Sequence, residues 1–160
     1  TNVALLSVAK DENSDVDFSQ SYGVRVPRIK GLPLVKPPYG RVTAIDMNSG
    51  EHVFQVANAD TPDRIANNAA LAGLDIPRTG VATRSGLLLT KTLLFIGEGV
   101  GGGPTLRAHD KLTGDIVAEI DLPNTQTGVP MTYEHDGKQF IVLTVSGSGS
   151  AAEIIAYALP

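Results

Sequence analysis

The sequence predicts an all-β protein built from antiparallel hairpins, and three observations carry that expectation. From Ser85 onward, short apolar runs recur at close intervals, each bounded by turn-forming residues. Seventeen Gly and ten Pro in 160 residues punctuate the chain too often for a helical bundle. A hairpin also repeats: VTAIDMNSGEHVFQV (42–56) aligns without gaps on LRAHDKLTGDIVAEI (106–120), at an offset of 64 (46 to 110). Ala44 matches Ala108, Asp46 matches Asp110, and Gly50 matches Gly114, while IIAYALP at the end gives a truncated third copy with Ala156 at the alanine position. Each conserved type has a physical role. The small Ala lets neighbouring sheets approach, the Asp accepts backbone N–H bonds across the turn, and the Gly supplies positive φ. A two-stranded unit cannot bury its faces alone, so each copy needs neighbouring sheets to stack against.

Taken in order, VALLSV (3–8) predicts a buried strand and DENSDVDFSQSYG (11–23) a polar surface loop. VRVPRIKGLPLVKPPYG (24–40) carries four prolines, so sheet there must be irregular or at an edge. RVTAIDM, NSG and EHVFQV give strand, turn and strand. Residues 57–80 form a long excursion with one short helix: Asp60 or Thr61 as the cap, Pro62 at the first helical position, a stripe of Ile65, Ala69 and Leu71, and Gly73 as the stop. Strands then follow at GLLLT, TLLFIG, TLRAHD, DIVAEIDL, PMTYEH, QFIVLTV and EIIAYAL.

Composition excludes several functions. A net charge of −4 is wrong for a nucleic-acid surface. No apolar run is long enough for a membrane helix. The absence of Cys removes disulfides, thiolate metal sites and Cys nucleophiles together. The opening TNVALLSVAK has neither an initiator Met nor a signal-peptide plan, which reads as a processed chain or excised fragment. No serine lies in a G-x-S-x-G context.

LLFIGEGVGGGP (93–104) invites a nucleotide-binding reading. Gly97, Gly99 and Gly102 fit G-x-G-x-x-G, and Glu119 lies near the place of a ribose-binding carboxylate. A dinucleotide fold, however, needs a helix after its third glycine. TLRAHD leaves no room for one before the Thr113-Gly114 turn, and its twin at 42–56 is a hairpin. The glycines are therefore assigned to a loop between two strands of one sheet, where crowding excludes side chains.

A-x-D-x-x-[ST]-G-[DE], with DIPRTG, TKTLLFIGEG, PMTYEHDGKQF and a terminal AYALP, resembles the C-terminal part of pyrroloquinoline-quinone (PQQ)-dependent dehydrogenases. The resemblance runs from about Leu32 to Pro160, and PMTYEHDGKQF is its most specific piece. It implies an eight-bladed propeller of four-stranded antiparallel blades with PQQ and Ca2+ near the axis, of which this chain would hold two to three. Residues 1–56 would be a partial blade, 57–84 the excursion, 85–122 a full blade and 129–160 a final incomplete one, closed by the remaining blades of the parent chain. The implied activity is oxidation of a small alcohol or sugar hydroxyl in the periplasm. The implied catalytic base and calcium ligands lie outside this stretch, so no catalytic or metal residue is nominated. By the same resemblance, SGSGS (146–150) occupies the family's glycine-rich loop near the quinone. This nominates Gly147, Ser148, Gly149 and Ser150, with Gly97 and Gly99, as cofactor-facing positions. The family's repeat carries Trp where this chain has Phe54 and Ala118, and the chain has no Trp to stack on a quinone. The chain alone is therefore expected to bind no cofactor tightly and to be inactive. The competing reading is a non-catalytic propeller module that binds other molecules.

Asp46 and Asp110 recur with the repeat and are assigned to turn capping. His52, His109 and His135 have no metal-ligand spacing. Arg78, in the excursion, is a candidate clamp on a substrate or a neighbouring blade.

Overall fold

A computed structural model describes residues 27–158, together with Val8–Ala9, Asp15 and Ser19–Gln20. The predicted strand over VALLSV lies outside the described residues except for Val8. Val8–Ala9 (β1) pairs antiparallel with Ser19–Gln20 (β2), inside the stretch predicted to be loop. Backbone ladders need no apolar side chains, so a polar strand such as Ser19–Gln20 leaves no hydropathy signal.

In the proline-rich region, Arg28–Ile29 (β3) and Leu32–Pro33 (β4) make a two-residue ladder. Lys30 and Gly31 connect them with φ of 50° and 81°, the signs a tight hairpin turn demands. Arg41–Ile45 (β5) and His52–Ala57 (β6) then form the first repeated hairpin.

The excursion holds α1 (Asp63–Ala66) and a single 3-10 turn at Ala69–Leu71. Ile65 is the buried anchor, whereas Ala69 is exposed, so the predicted stripe is one residue deep. The expected cap is also corrected. Pro62 has ψ of 142° and is itself the cap position, with no side-chain cap bond. Thr61 Oγ1 instead accepts from Thr79 N at 3.0 Å, and the Asp60 carboxylate is taken by two arginines. Thr61 thus closes the excursion on itself, while Asp60 also ties it to Arg107, far along the chain.

Leu87–Leu89 (β7), Leu93–Gly97 (β8), Thr105–Asp110 (β9) and Ile116–Asp121 (β10) form a four-stranded antiparallel meander. Met131–His135 (β11), Lys138–Gly147 (β12) and Ser150–Ala158 (β13) form a three-stranded one. The strand at 105–110 leaves no helix after the glycine cluster, and Glu119 pairs across β9–β10 opposite Arg107. The dinucleotide reading ends there.

The β8 strand explains how the sheets stack. Successive side chains point to opposite faces. Phe95 joins Leu106, Ala108, Leu122, Ile141, Leu143 and Val145 in a core shared with the three-stranded sheet. Leu94 and Ile96 pack with Val42, Phe54 and Val56 of the first hairpin. Both faces are covered, which is why this stretch reads as an unbroken apolar run.

The two repeats agree in backbone detail. Both hairpins carry a register shift, after Ala44 and at Ile116/Ala118. Asp46 Oδ1 accepts from Asn48 N and Ser49 N, and Asp110 Oδ1 accepts from Leu112 N and Thr113 N. Gly50 and Gly114 have φ of 76° and 80°, as the turn requires. Phe54 lies with its ring against Gly114 of the next hairpin, and an added Cβ there would sit 2.6 Å from Phe54 Cδ2.

Candidate functional site

The glycine loop begins where β8 ends. Gly97 N donates to Gln126 Oε1 at 2.7 Å, and Gly97 O accepts from Asn58 Nδ2 at 3.4 Å. Gln126 is fully buried and donates through Nε2 to the carbonyls of Gly86 and Gly128, at 2.8 and 2.7 Å. Gly97 is thus glycine because Gln126 packs on it, and its own polar groups are committed.

Beyond Gly97 the chain turns on a buried carboxylate. Glu98 Oε2 accepts from Gly103 N at 2.5 Å, and Gly102 N donates to Gly99 O at 2.9 Å. Gly99 and Gly101 have φ of 70° and 100°. Gly102 and Gly103 face the Glu98 side chain so closely that a Cβ at either would crowd it. Glu98 Oε1 in turn accepts from Arg107 NH1 on β9.

Arg107 is 2% exposed and binds three carboxylates. Besides Glu98, its Nε donates to Glu119 Oε1 at 2.6 Å and its NH2 to Asp60 Oδ2 at 3.2 Å. Asp60 Oδ1 pairs with Arg78 Nε at 3.2 Å. Burial pushes the Arg107 pKa down, but the hydrogen bonds to Glu98 and Glu119 and the charges of Glu98 and Asp60 more than offset this, so the net direction is upward. The guanidinium stays charged in the interior.

The second nominated region is a tight turn rather than a loop. Gly147 and Ser150 are paired residues of β12 and β13, leaving Ser148 and Gly149 as the turn, with φ of 80° at Gly149. Ser148, Gly149 and Ser150 are exposed, and Gly147 packs against Asn124. The correction follows from length: β12 extends its ladder two residues past the apolar run, which side-chain pattern does not signal. Residues 124–128 hold both regions together, since Gln126 binds Gly97 and bridges Val145, and Thr125 O accepts from Ser146 N at 3.0 Å. Gly99 faces a different neighbour, Arg84 and Ser85.

Asp46 and Asp110 cap turns, as expected, and the Asn48 and Ser49 amides hold the Asp46 carboxyl below the usual range. His109 is buried, with Nδ1 2.8 Å from Gly114 O; His52 and His135 are exposed. Among the described residues no three His, Cys, Asp or Glu side chains gather to hold a metal. Asp60 links Arg78 to Arg107 of the four-stranded sheet. Asn58 also lines a cleft of about 380 Å³ with Tyr39, Arg41, Thr83, Ser85 and Ile96.

Sequence reasoning missed Glu98, Arg107, Asp60 and Gln126. A signal for Arg107 existed in the repeat: it and Glu119 stand at the positions of Thr43 and Gln55, whose side chains share one neutral hydrogen bond of 3.1 Å.

Residues 6–141 match the family model described as PQQ: Glucose/ethanol/alcohol dehydrogenase, beta-propeller domain. The chain belongs to this PQQ-dependent dehydrogenase propeller family. Its sheets are accordingly a partial β-propeller, and the match starts upstream of Leu32, where the motifs begin. The chain is 31% identical over 152 residues to quinoprotein glucose dehydrogenase A of Acinetobacter calcoaceticus, covering 89% of this chain and 18% of that protein. It is 31% identical over 142 residues to the glycerol dehydrogenase large subunit of Gluconobacter thailandicus, covering 81% and 18%. It is 32% identical over 136 residues to a probable quinate dehydrogenase (quinone) of Xanthomonas campestris pv. juglandis, covering 81% and 17%. The chain therefore spans less than a fifth of the length of these curated relatives.

PQQ is a flat quinone bearing carboxylates, so its cavity needs planar apolar walls and cationic or N–H donors. In this PQQ-family chain, Arg107 is spent on carboxylates and Gly97 N–H on Gln126, while Gly101 and Gly149 are exposed tips with no Cβ. The cation and the N–H donor described here are thus already committed within the chain.

Proposed function

We propose that this chain is the C-terminal propeller segment of a periplasmic, PQQ- and calcium-dependent dehydrogenase that oxidises an alcohol or sugar hydroxyl. One observation carries the reading: in a chain of this family, two glycine-bearing strand ends on neighbouring sheets, Gly97 and Gly147, are held by the same segment, 124–128. On this reading, Gly97, Gly99 and the turn Gly147, Ser148, Gly149 and Ser150 form part of the cofactor wall. Residues 1–56 are a partial blade, 57–84 an excursion, 85–122 a full blade and 129–160 an incomplete one, completed by the other blades of the parent chain.

The chemistry PQQ supplies when bound is acceptance of the electrons removed from the hydroxyl. The work of this chain is positional. Gln126 and Asn58 fix the backbone of Gly97, Glu98 shapes the loop after it, and the sheet core excludes water behind both. The base and the calcium ligands belong to the rest of the parent chain.

The test uses the full-length protein that carries this chain, loaded with PQQ and Ca2+ and followed by dye reduction with glucose, glycerol and ethanol. Saturable turnover abolished by chelator is expected. PQQ-independent behaviour, with no turnover on any hydroxyl substrate, would favour the non-catalytic binding module, a reading that the absence of Trp and Cys otherwise encourages.

A further inference from the structure

We infer that Arg107 is a positioning residue: through Glu98 it fixes the glycine loop at 99–103, and through Asp60 and Arg78 it makes that loop depend on the seating of the 57–84 excursion. The relevance of the loop to catalysis rests on the proposed function; the positioning itself does not.

The hairpin does not need this arginine. Its twin carries Thr43 and Gln55 at the same places and folds with the same turn and bulge. A buried guanidinium with its carboxylates is costly to desolvate and as a set gains little net stability over apolar residues replacing all of them together, so its use here points to geometry rather than to stability.

The geometry is directional. Glu98 splits its two oxygens, Oε1 to Arg107 and Oε2 to Gly103 N. The loop folds back over that side chain, with Gly102 and Gly103 pressed against it. Turning Glu98 away from Arg107 therefore withdraws the acceptor that closes the loop. The far side of Arg107 is held by Asp60, which is 67% exposed and has its other oxygen on Arg78 of the excursion. Asp60 and Arg78 form the accessible end of a chain of charges whose buried end shapes the loop.

The experiment uses the full-length protein with Glu98→Gln, Asp60→Asn and, as a control in the twin hairpin, Gln55→Leu. Amide hydrogen exchange is followed over residues 98–105 and over β12, and PQQ binding to the apo-protein is measured by equilibrium dialysis. Glu98→Gln removes one charged acceptor, so exchange at 99–103 should quicken about tenfold. β12 should be unchanged. Asp60→Asn should act in the same direction to a smaller extent, and Gln55→Leu should leave the loop as it is. PQQ affinity should fall with loop protection. Unchanged loop exchange in Asp60→Asn and in any folded Glu98→Gln protein would overturn the positioning. Faster exchange with unaltered PQQ affinity would uphold it and overturn the loop's place in the cofactor wall.

Discussion

The hairpins at 42–56 and 106–120 share a backbone and differ in what their side chains meet. Both use an Asp carboxylate to gather two turn amides and a left-handed Gly to close the turn. The first, however, carries Thr43, Ile45 and Phe54 where the second carries Arg107, His109 and Ala118. In the first, Thr43 and Gln55 form one exposed hydrogen bond, and Gly50 has open space around it. In the second, Arg107 is buried among three carboxylates and Gly114 lies under the Phe54 ring of its neighbour. The shared residues build the turn, and the differing ones record each hairpin's place in the stack. A residue that recurs is explained by the turn; one that departs asks what it touches.

The largest break in this comparison should come from Arg107→Met. It leaves Glu98 buried without its partner and should cost about 3–5 kcal/mol. Thr43→Val, at the matching position, should cost no more than about 1 kcal/mol. Urea denaturation of the two variants measures the contrast, and equal costs would show that the network adds nothing to the shared scaffold.

A smaller contrast separates the turn glycines. Gly50→Ala meets only the left-handed backbone and should cost about 1 kcal/mol. Gly114→Ala must also displace a ring, which raises the expected cost to about 2–3 kcal/mol. Adding Phe54→Leu should remove part of the excess, so a double-mutant cycle on Phe54 and Gly114 should show coupling. Strict additivity would deny the contact between hairpins.

The smallest effect concerns acid. Backbone bonds from Asn48 and Ser49 lower the Asp46 pKa in the folded chain. Its contribution is therefore present above the unfolded carboxylate pKa of about 4 and is lost as pH falls through the lower folded value. The stability difference between wild type and Asp46→Asn should shrink across that acid window. A difference that grows on acidification would reverse the sign.

Much of the fold was legible because it follows from residue types acting locally. TLRAHD forms its strand over the whole predicted length, and the two hairpin turns follow from Asp, Gly and alternation. Local signals failed where a distant partner competed for a residue. Asp60 and Thr61 look like helix caps until Arg78, Arg107 and Thr79 claim them. SGSGS looks like a flexible loop, yet Gly147 and Ser150 pair because Ser146 and Val145 are already held by residues 125 and 126. The site was less legible still. Glu98 lies just past the end of β8 and Arg107 on β9, nine positions apart, so only the pairing of the two strands shows that they meet.

On the proposed function, this chain contributes one wall and a buttress, while the chemistry needs the rest of a propeller. The most direct test mixes the purified 160-residue chain with PQQ and Ca2+ and follows dye reduction with glucose, ethanol and glycerol. The account predicts no saturable turnover, because Gly and Ser backbone groups worth about 1 kcal/mol each cannot offset the several kcal/mol lost on immobilising a cofactor. Saturable turnover abolished by a chelator would contradict it, and would mean that carboxylates described here as turn caps and arginine partners carry the chemistry.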